Sequence, residues 1–288
     1  MEKPLSGKVA VVAGASRGCG RGVALALGEA GATVYVTGRT TRSGPKPVDQ
    51  ASGTIEDTAE EVTRRGGMGI AVCVDHTDPA RVHELFQPID RLDILVSAVW
   101  GGNERYLDPV WNQPFWKQPA DSWVEFLDAG PHAFWLCAHA AAARMALQNS
   151  GLIVAITEPV LEQIADQLPS MDQTFRDLAH HSTNRLVSAL ARDAKKKSVA
   201  VIGLLPGFMR TERVQMHLPD EASRKLSRYD LSESPEYSGR AVVALAGDGN
   251  VLAKSGGLHY VADLAEEYGF TDVDGQRVGN FYKIVLGI

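Results

Sequence analysis

The stretch "KVAVVAGASRGCGRG", Lys8 to Gly22, constrains this chain more than any other. Its short apolar run ends in glycine, as a buried parallel strand does. An apolar, helix-forming run, "GRGVALALGEAGA", follows at once and is closed by Gly31. Between them Gly14, Gly18 and Gly20 have the spacing G-x-x-x-G-x-G. Glycine permits a tight turn and lets backbone approach a pyrophosphate closely. The helix N-terminus behind it offers unbonded N–H groups and a partial positive charge. Three glycines alone are a weak signal; in a strand–loop–helix context they are a strong one. The loop makes Gly14, Ser16, Arg17, Gly18 and Gly20 candidate cofactor-binding residues.

The rest of the chain repeats this alternation. "TVYVTG", "IAVCVD", "LDILVSAV", "GLIVAIT", "VAVIGLLPG" and "GGLHYVA" read as strands. Helical patterns separate them, including "TIEDTAEEVTRRGG", a long region around 119–148, and "TFRDLAHHSTNRL". Residues 39–53 are rich in Gly, Pro, Ser and Thr and read as a loop. The pattern predicts an α/β fold, a doubly wound (Rossmann) parallel sheet with helices on both faces. No internal repeat or linker divides it, so residues 1–288 are expected to form one domain. Pro131, in "DAGPHAF", is expected to kink or break the fourth helix.

Charge and composition exclude several classes. With 288 residues, 44% hydrophobic and 22% charged, the chain can bury a sizeable core. Its net charge of -6 argues against a nucleic-acid partner. The one basic run, Lys195 to Lys197, reads as cations at a helix C-terminus. The most apolar stretch, "HAFWLCAHAAAARMAL", is too short for a bilayer and carries His139 and Arg144. The N-terminus lacks the layout of a signal peptide. Cys19, Cys73 and Cys137 have no metal or redox spacing and read as reduced, mostly buried thiols of a cytoplasmic protein. Asp75, His76 and Asp78 have no third ligand at a suitable spacing, so no metal is expected.

On these residues the chain resembles the short-chain dehydrogenase/reductase family over nearly its whole length. "VVAGASRGCG" resembles that family's cofactor loop, and "PGFMRT" its Pro-Gly turn beside the nicotinamide. "CVDHTD" resembles the segment carrying its adenine-contacting aspartate. "GRTTRSG", "PFWKQPADSW", "GLIVAI" and "DVDGQ" look most like the branch named for dehydrogenase/reductase member 1. The resemblance implies a nicotinamide cofactor and adds Asp75, Pro206, Gly207 and Thr211 to its candidate contacts. An NAD enzyme needs an acid at the end of the second strand. Here that place falls on Gly38, followed by Arg39. Arg39 and Arg17 suit a 2′-phosphate, which guanidinium grips bidentately, so NADP(H) is expected; the alternative is two solvated arginines.

The resemblance fails where the family's chemistry lies. The family implies a tyrosine and a lysine four residues apart on the fifth helix, a serine after the preceding strand and an asparagine on the fourth helix. Counting from Pro206 places Arg176 and His180 at the first two positions. The serine position falls on Glu158, with Thr157 one step away, and the asparagine position on Asp128. No tyrosine lies between Tyr106 and Tyr229, and no lysine between Lys117 and Lys195. Arginine keeps its proton and is a poor acid. Histidine titrates near neutrality and can move one. A glutamate would oppose oxyanion charge. Glu158 and Arg176 read equally well as an ion pair filling a dead site.

Trp100, Tyr106, Trp111, Phe115, Trp116 and Trp123 crowd the segment after the fourth strand. They read as a pocket for a large apolar substrate or as local core under a long loop, the latter favoured for Trp116 and Trp123. Three functions stay open. One is an NADP(H)-dependent oxidoreductase acting on a small carbonyl or alcohol, with His180, Tyr106, Tyr229 or water as proton donor. The second is a non-catalytic NADP(H)-binding sensor or partner subunit. The third is a cofactor-independent lyase or cyclase, against which the intact phosphate loop, Arg39 and Asp75 count. The family resemblance implies a homodimer or homotetramer through the fourth and fifth helices, using "AAAARMAL" and the face near Leu186 and Leu190.

Overall fold

The computed structural model describes residues 3–47, 50–102, 113–159 and 174–287. In chain order the elements are β1 (Val9–Ala13), α1 (Gly18–Glu29), β2 (Thr33–Gly38), α2 (Ile55–Arg64), β3 (Met68–Cys73), α3 (Pro79–Phe86) and β4 (Ile94–Ser97). There follow α4 (Ala133–Gln148), β5 (Gly151–Ile156), α5 (Thr174–Ala194), β6 (Val199–Leu205), α6 (Glu212–His217), α7 (Glu221–Leu226), α8 (Pro235–Gly247), β7 (Leu258–Tyr260), α9 (Val261–Tyr268) and α10 (Phe281–Leu286). The seven strands form one sheet in the order β3-β2-β1-β4-β5-β6-β7. Every pairing is parallel, with Val12 opposite both Val36 and Val96.

Successive strand residues face opposite sides, and each side is apolar. Ala10, Val12, Val34, Val36, Ile94 and Val96 pack with Val23 and Leu27 of α1 and Val242 and Leu245 of α8. Val11, Ala13, Leu95 and Ile153 pack on the other side with Val82 and Leu85 of α3, Cys137 and Ala141 of α4 and Val187 of α5. This two-sided burial explains why the strands read as continuous apolar runs. The expected doubly wound sheet with helices on both faces is the one observed.

Two glycines set the end of β1. Gly14 has φ +80°, and a Cβ there would lie 2.7 Å from the carbonyl oxygen of Ala98. A Cβ on Gly20 would lie 2.2 Å from the carbonyl oxygen of Gly14. Helix α1 therefore starts directly against the strand that precedes it. Both positions require glycine for space, and Gly14 also for its backbone conformation.

The expected break at Pro131 is present. Residues Val124–His132 form a wide π-type turn with non-helical backbone at Ala129 (φ -86°, ψ 26°) and Gly130 (φ -138°, ψ -107°). Proline disfavours the α conformation in the residue before it, which here is glycine. Regular helix resumes at Ala133. The tri-lysine run forms a single 3₁₀ turn after α5. Strand β3 ends at Cys73, so Asp75 lies two residues beyond it rather than at its end. Cys19 and Cys137 are buried, and Cys73 is exposed. No helix among the described residues is long and apolar enough to cross a membrane.

Candidate functional site

A parallel sheet brings the C-terminal ends of all its strands to one edge. The order places β1 between β2 and β4, so connections run in opposite directions on either side of it. That switch point opens a crevice. A cleft of about 230 Å³, partly open to solvent, occupies it. The loops after β1, β2, β3, β4, β5 and β6 all contribute to its wall.

At the β2–β3 end lie Gly38, Arg39, Asp75 and His76. Asp75 Oδ1 accepts from the Thr77 N–H (3.0 Å) and hydroxyl (2.7 Å). Burial alone would raise its carboxyl, but the Thr77 bonds and Arg39 hold it below the usual aspartate range. Burial pushes His76 down to about 4. Its Nε2 lies 2.8 Å from the Thr37 hydroxyl, which donates to the Val12 carbonyl. Asp78 caps α3 through the Ala80 N–H (2.8 Å). Among the described residues no group of three His, Cys, Asp or Glu side chains is arranged to hold a metal.

The glycine loop forms the middle of the cleft. Arg17, the N-cap of α1, is extended and makes no side-chain cap bond. Its guanidinium turns instead to the loop before α2, donating from Nε to Ser52 O (3.0 Å) and from Nη2 to Gly53 O (2.8 Å). The first N–H of α1, on Gly18, donates to Glu212 Oε2 at 2.8 Å. A carboxylate of the chain itself thus stands where the helix favours an anion. The pyrophosphate of a dinucleotide suits this loop by the same physics. Ser16, Gly20 and Thr211 also line it, and Thr211 Oγ1 caps α6 through the Val214 N–H.

At the far end the Pro206–Gly207 turn is held from behind by Glu233, which is buried. A Cβ on Gly207 would meet Glu233 Oε2 at 2.9 Å. The backbone of Glu233 exchanges bonds with the turn, its N–H to Phe208 O and its carbonyl to the Arg210 N–H, both 2.8 Å. Burial pushes the Glu233 carboxyl up to about 8, against the pull of the Gly207 N–H.

The four positions expected to replace the family's catalytic set are partly assembled. Glu158, Thr157 and His180 line the cleft. Arg176 donates from Nε (3.0 Å) and Nη2 (2.6 Å) to Glu158 Oε2, and from Nη2 to Oε1 (2.6 Å). The pair is largely buried, with side chains 16% and 26% exposed. Burial would raise the Glu158 carboxyl, but Arg176 and His180 outweigh it and hold it low. His180 stacks on Trp100 with ring centroids 4.5 Å apart and planes 22° apart. Its Nε2 is 3.5 Å from Glu158 Oε2. Burial, opposed by Glu158, pushes its imidazole down to about 4. Asp128 is half-buried and not among the residues lining the cleft; the wide turn brings its neighbour Ala129 there instead.

The aromatic segment divides. Trp100 lines the cleft and packs edge-on against Phe126. The core reading of Trp116 and Trp123 is corrected: they are 70% and 53% exposed, as is Phe115 at 66%. They lie outside the apolar clusters that flank the sheet. Tyr106 and Trp111 lie outside the described residues. Tyr229 stacks under Arg224 and is not among the cleft's lining residues.

Sequence reasoning missed Glu212, Glu233, Asn184 and Tyr282. Asn184 lies one turn past His180, a spacing that could have drawn notice. Tyr282, buried on α10, lies near enough to Glu158 and Arg176 to feel their charge, and burial raises its phenol well above the usual range. Nothing local marks a residue so distant in sequence.

The family model for short chain dehydrogenases matches residues 8–222, and the chain belongs to the short-chain dehydrogenase/reductase family. It is 35% identical to dehydrogenase/reductase SDR family member 1 of Mus musculus and 33% identical to that of Homo sapiens. Each comparison covers 99% of this chain and 89% of the relative. Among solved structures it resembles a short chain dehydrogenase of Mycobacterium thermoresistibile, with TM-score 0.77, 20% identity and coverage of 96% and 94%.

The Glu158–Arg176 pair is open to a direct test. Glu158 has a lowered pKa in the folded chain, so its contribution is fully present above the ordinary value of 4.5 and is lost as pH falls below it. Glu158→Gln leaves a largely buried guanidinium with a weaker partner and is expected to cost about 1–3 kcal/mol at pH 7. Urea denaturation at pH 7 and pH 3 is expected to show a smaller acid loss for the variant than for wild type. Equal stabilities at pH 7 would mean that the pair contributes nothing.

Proposed function

We propose that this protein binds NADP(H) and exchanges a proton with a small alcohol or carbonyl substrate through His180, not through a tyrosine–lysine pair. One observation carries the reading: the cleft runs without interruption from Arg39 and Asp75, past the glycine loop, to Glu158 and His180. Asp75 would meet the adenine, the glycine loop the pyrophosphate, and Pro206, Gly207 and Thr211 the nicotinamide end. Arg39, with Arg17 behind it, would meet the 2′-phosphate. When bound, the nicotinamide supplies hydride exchange; the chain supplies position and the proton. Trp100 gives the substrate end an apolar aromatic wall.

The Glu158–Arg176 pair favours a second reading, a non-catalytic NADP(H)-binding protein, because each charge is already satisfied by the other. Proton exchange through His180 separates the two readings. An imidazole neutral at pH 7 is poorly suited to donate a proton to a carbonyl, since only a small fraction carries one. It remains available to accept a proton from an alcohol.

The cofactor reading is tested by titrating NADPH and NADH and following tryptophan emission, to which Trp100 contributes from within the cleft. NADPH is expected to bind more tightly. Arg39→Asp is expected to weaken NADPH by ~1.5–3 kcal/mol through a lost charge-assisted contact. Arg17→Ala is expected to weaken it less, because that guanidinium is held by Ser52 and Gly53. Tighter NADH would overturn the charge argument.

Turnover is tested in both directions over a panel of secondary alcohols and ketones. Little or no ketone reduction with NADPH is expected at pH 7. Alcohol oxidation with NADP⁺ is expected to disappear in His180→Gln, which keeps size and polarity but does not titrate. Robust ketone reduction that survives this change would sink both readings.

Assembly is proposed to be a homodimer or homotetramer through α4 and α5, whose outer faces expose Trp135, Leu147 and Leu178. Light scattering at micromolar concentration is expected to give at least twice the chain mass of 31.0 kDa. A monomer would contradict the proposal.

A further inference from the structure

We propose that Asn184 and Thr157 fix His180 as a proton acceptor, protonated at Nδ1 and carrying its lone pair on the buried Nε2. The tautomer is argued from hydrogen bonds alone. Its chemical consequence rests on the reading above, that His180 is the proton-exchanging group.

The chain of hydrogen bonds begins at a group that can only accept. The Glu158 backbone carbonyl has no proton, and Asn184 Nδ2 lies 3.0 Å from it. That fixes the amide with its nitrogen toward Glu158 and its oxygen toward Thr157. Asn184 Oδ1 also can only accept, and the Thr157 oxygen is 2.8 Å away. The single hydroxyl proton of Thr157 is therefore committed to Asn184. Thr157 Oγ1 then meets His180 Nδ1, at 3.2 Å, as an acceptor. A hydrogen bond there requires the proton on Nδ1.

The other ring nitrogen is left without a donor. His180 Nε2 is buried and has no hydrogen-bond partner among the described residues. The nearest charged atom is Glu158 Oε2 at 3.5 Å, itself an acceptor and already bonded twice by Arg176. The charged and titratable groups around the imidazole are Glu158 from the β5 end and Arg176 and Asp177 from α5. Tyr282 of α10 in turn faces Glu158 and Arg176. Trp100 covers the ring face. Burial also keeps the ring neutral, in agreement with a single proton on it.

Where a ligand reaches this nitrogen, the lone pair selects it by polarity. A carbonyl oxygen would bring lone pair against lone pair; a hydroxyl brings a donor. The site therefore suits the alcohol, the reduced partner of an alcohol–carbonyl couple. On proton transfer the ligand's O–H bond breaks and an N–H bond forms at Nε2. The resulting imidazolium has Glu158 within 3.5 Å to balance its charge. Thr157 and Asn184 are positioning residues, acting through His180.

The test is the ¹⁵N pattern of the imidazole in the full-length protein at pH 7 without added nucleotide, with His180 assigned by its loss in His180→Gln. Wild type is expected to show a protonated-type Nδ1 and an unprotonated-type Nε2. Thr157→Ser should keep that pattern. Thr157→Val removes the acceptor for Nδ1–H, and Asn184→Leu releases the Thr157 proton toward Nδ1. Both are expected to exchange the two shifts, moving the proton to Nε2 beside Glu158. A wild type protonated at Nε2, singly or with Nδ1, overturns the proposal, and so does a folded Thr157→Val that keeps the wild-type pattern. If the substitutions unfold the chain, wild type and Thr157→Ser alone decide. Failure to bind NADPH would instead show in the fluorescence titration and leave this pattern unchanged.

Discussion

The parallel pairing of β1 with β2 on one side and β4 on the other is the constraint on which the rest depends. It turns the chain in opposite directions on the two sides of β1. It also brings the loops after β1, β2, β4, β5 and β6 to a single edge. Side chains of these strands are buried on both faces, so a slip of one residue would exchange two apolar surfaces and expose nothing polar. What pins the arrangement is close backbone contact. Gly14 meets Ala98 across β1 and β4, and Gly20 meets Gly14 between α1 and β1. The cleft opens where those contacts bring three segments of main chain together.

Charge is distributed unevenly along that cleft. At one end Arg39 stands near Asp75, and at the glycine loop Gly18 holds the Glu212 carboxylate. On the proposed reading a pyrophosphate there would share the end of α1 with an anion of the chain, and Arg21, 3.9 Å from Glu212, would offset part of the repulsion. At the other end Glu158 and Arg176 cancel within a few ångströms. His180 is governed first by burial, which Glu158 opposes and Arg176 reinforces.

This separates the chain's architecture from the family's chemistry. The phosphate loop, the acid after β3 and the Pro-Gly turn all lie on one cleft, yet the side chains at its nicotinamide end differ in kind from those the resemblance implies. On the proposed reading, a neutral imidazole between an indole face and a glutamate stands in place of a phenol beside an ammonium. On that reading, fold and cofactor cleft persist independently of the reacting groups, as expected when function resides in a site carried by a common scaffold.

The sequence by itself determined the alternation of strands and helices, the parallel sheet and the phosphate loop, because each is written in short-range periodicity and glycine spacing. It also placed Arg176 and His180 on one helical face and anticipated both the Glu158–Arg176 pair and the break at Pro131. Tertiary structure decided what no local pattern encodes. Trp116 and Trp123 read as local core under a long loop, but both are exposed. Asp128 was placed by counting, and its neighbour Ala129 is the residue found lining the cleft. Glu212, Glu233 and Tyr282 act on residues far away in the chain, so their partners exist only once the sheet has formed. Asn184 was visible on the same helix as His180, but its meaning was not. A hydroxyl has one proton, and only the position of the Glu158 carbonyl decides where that proton goes.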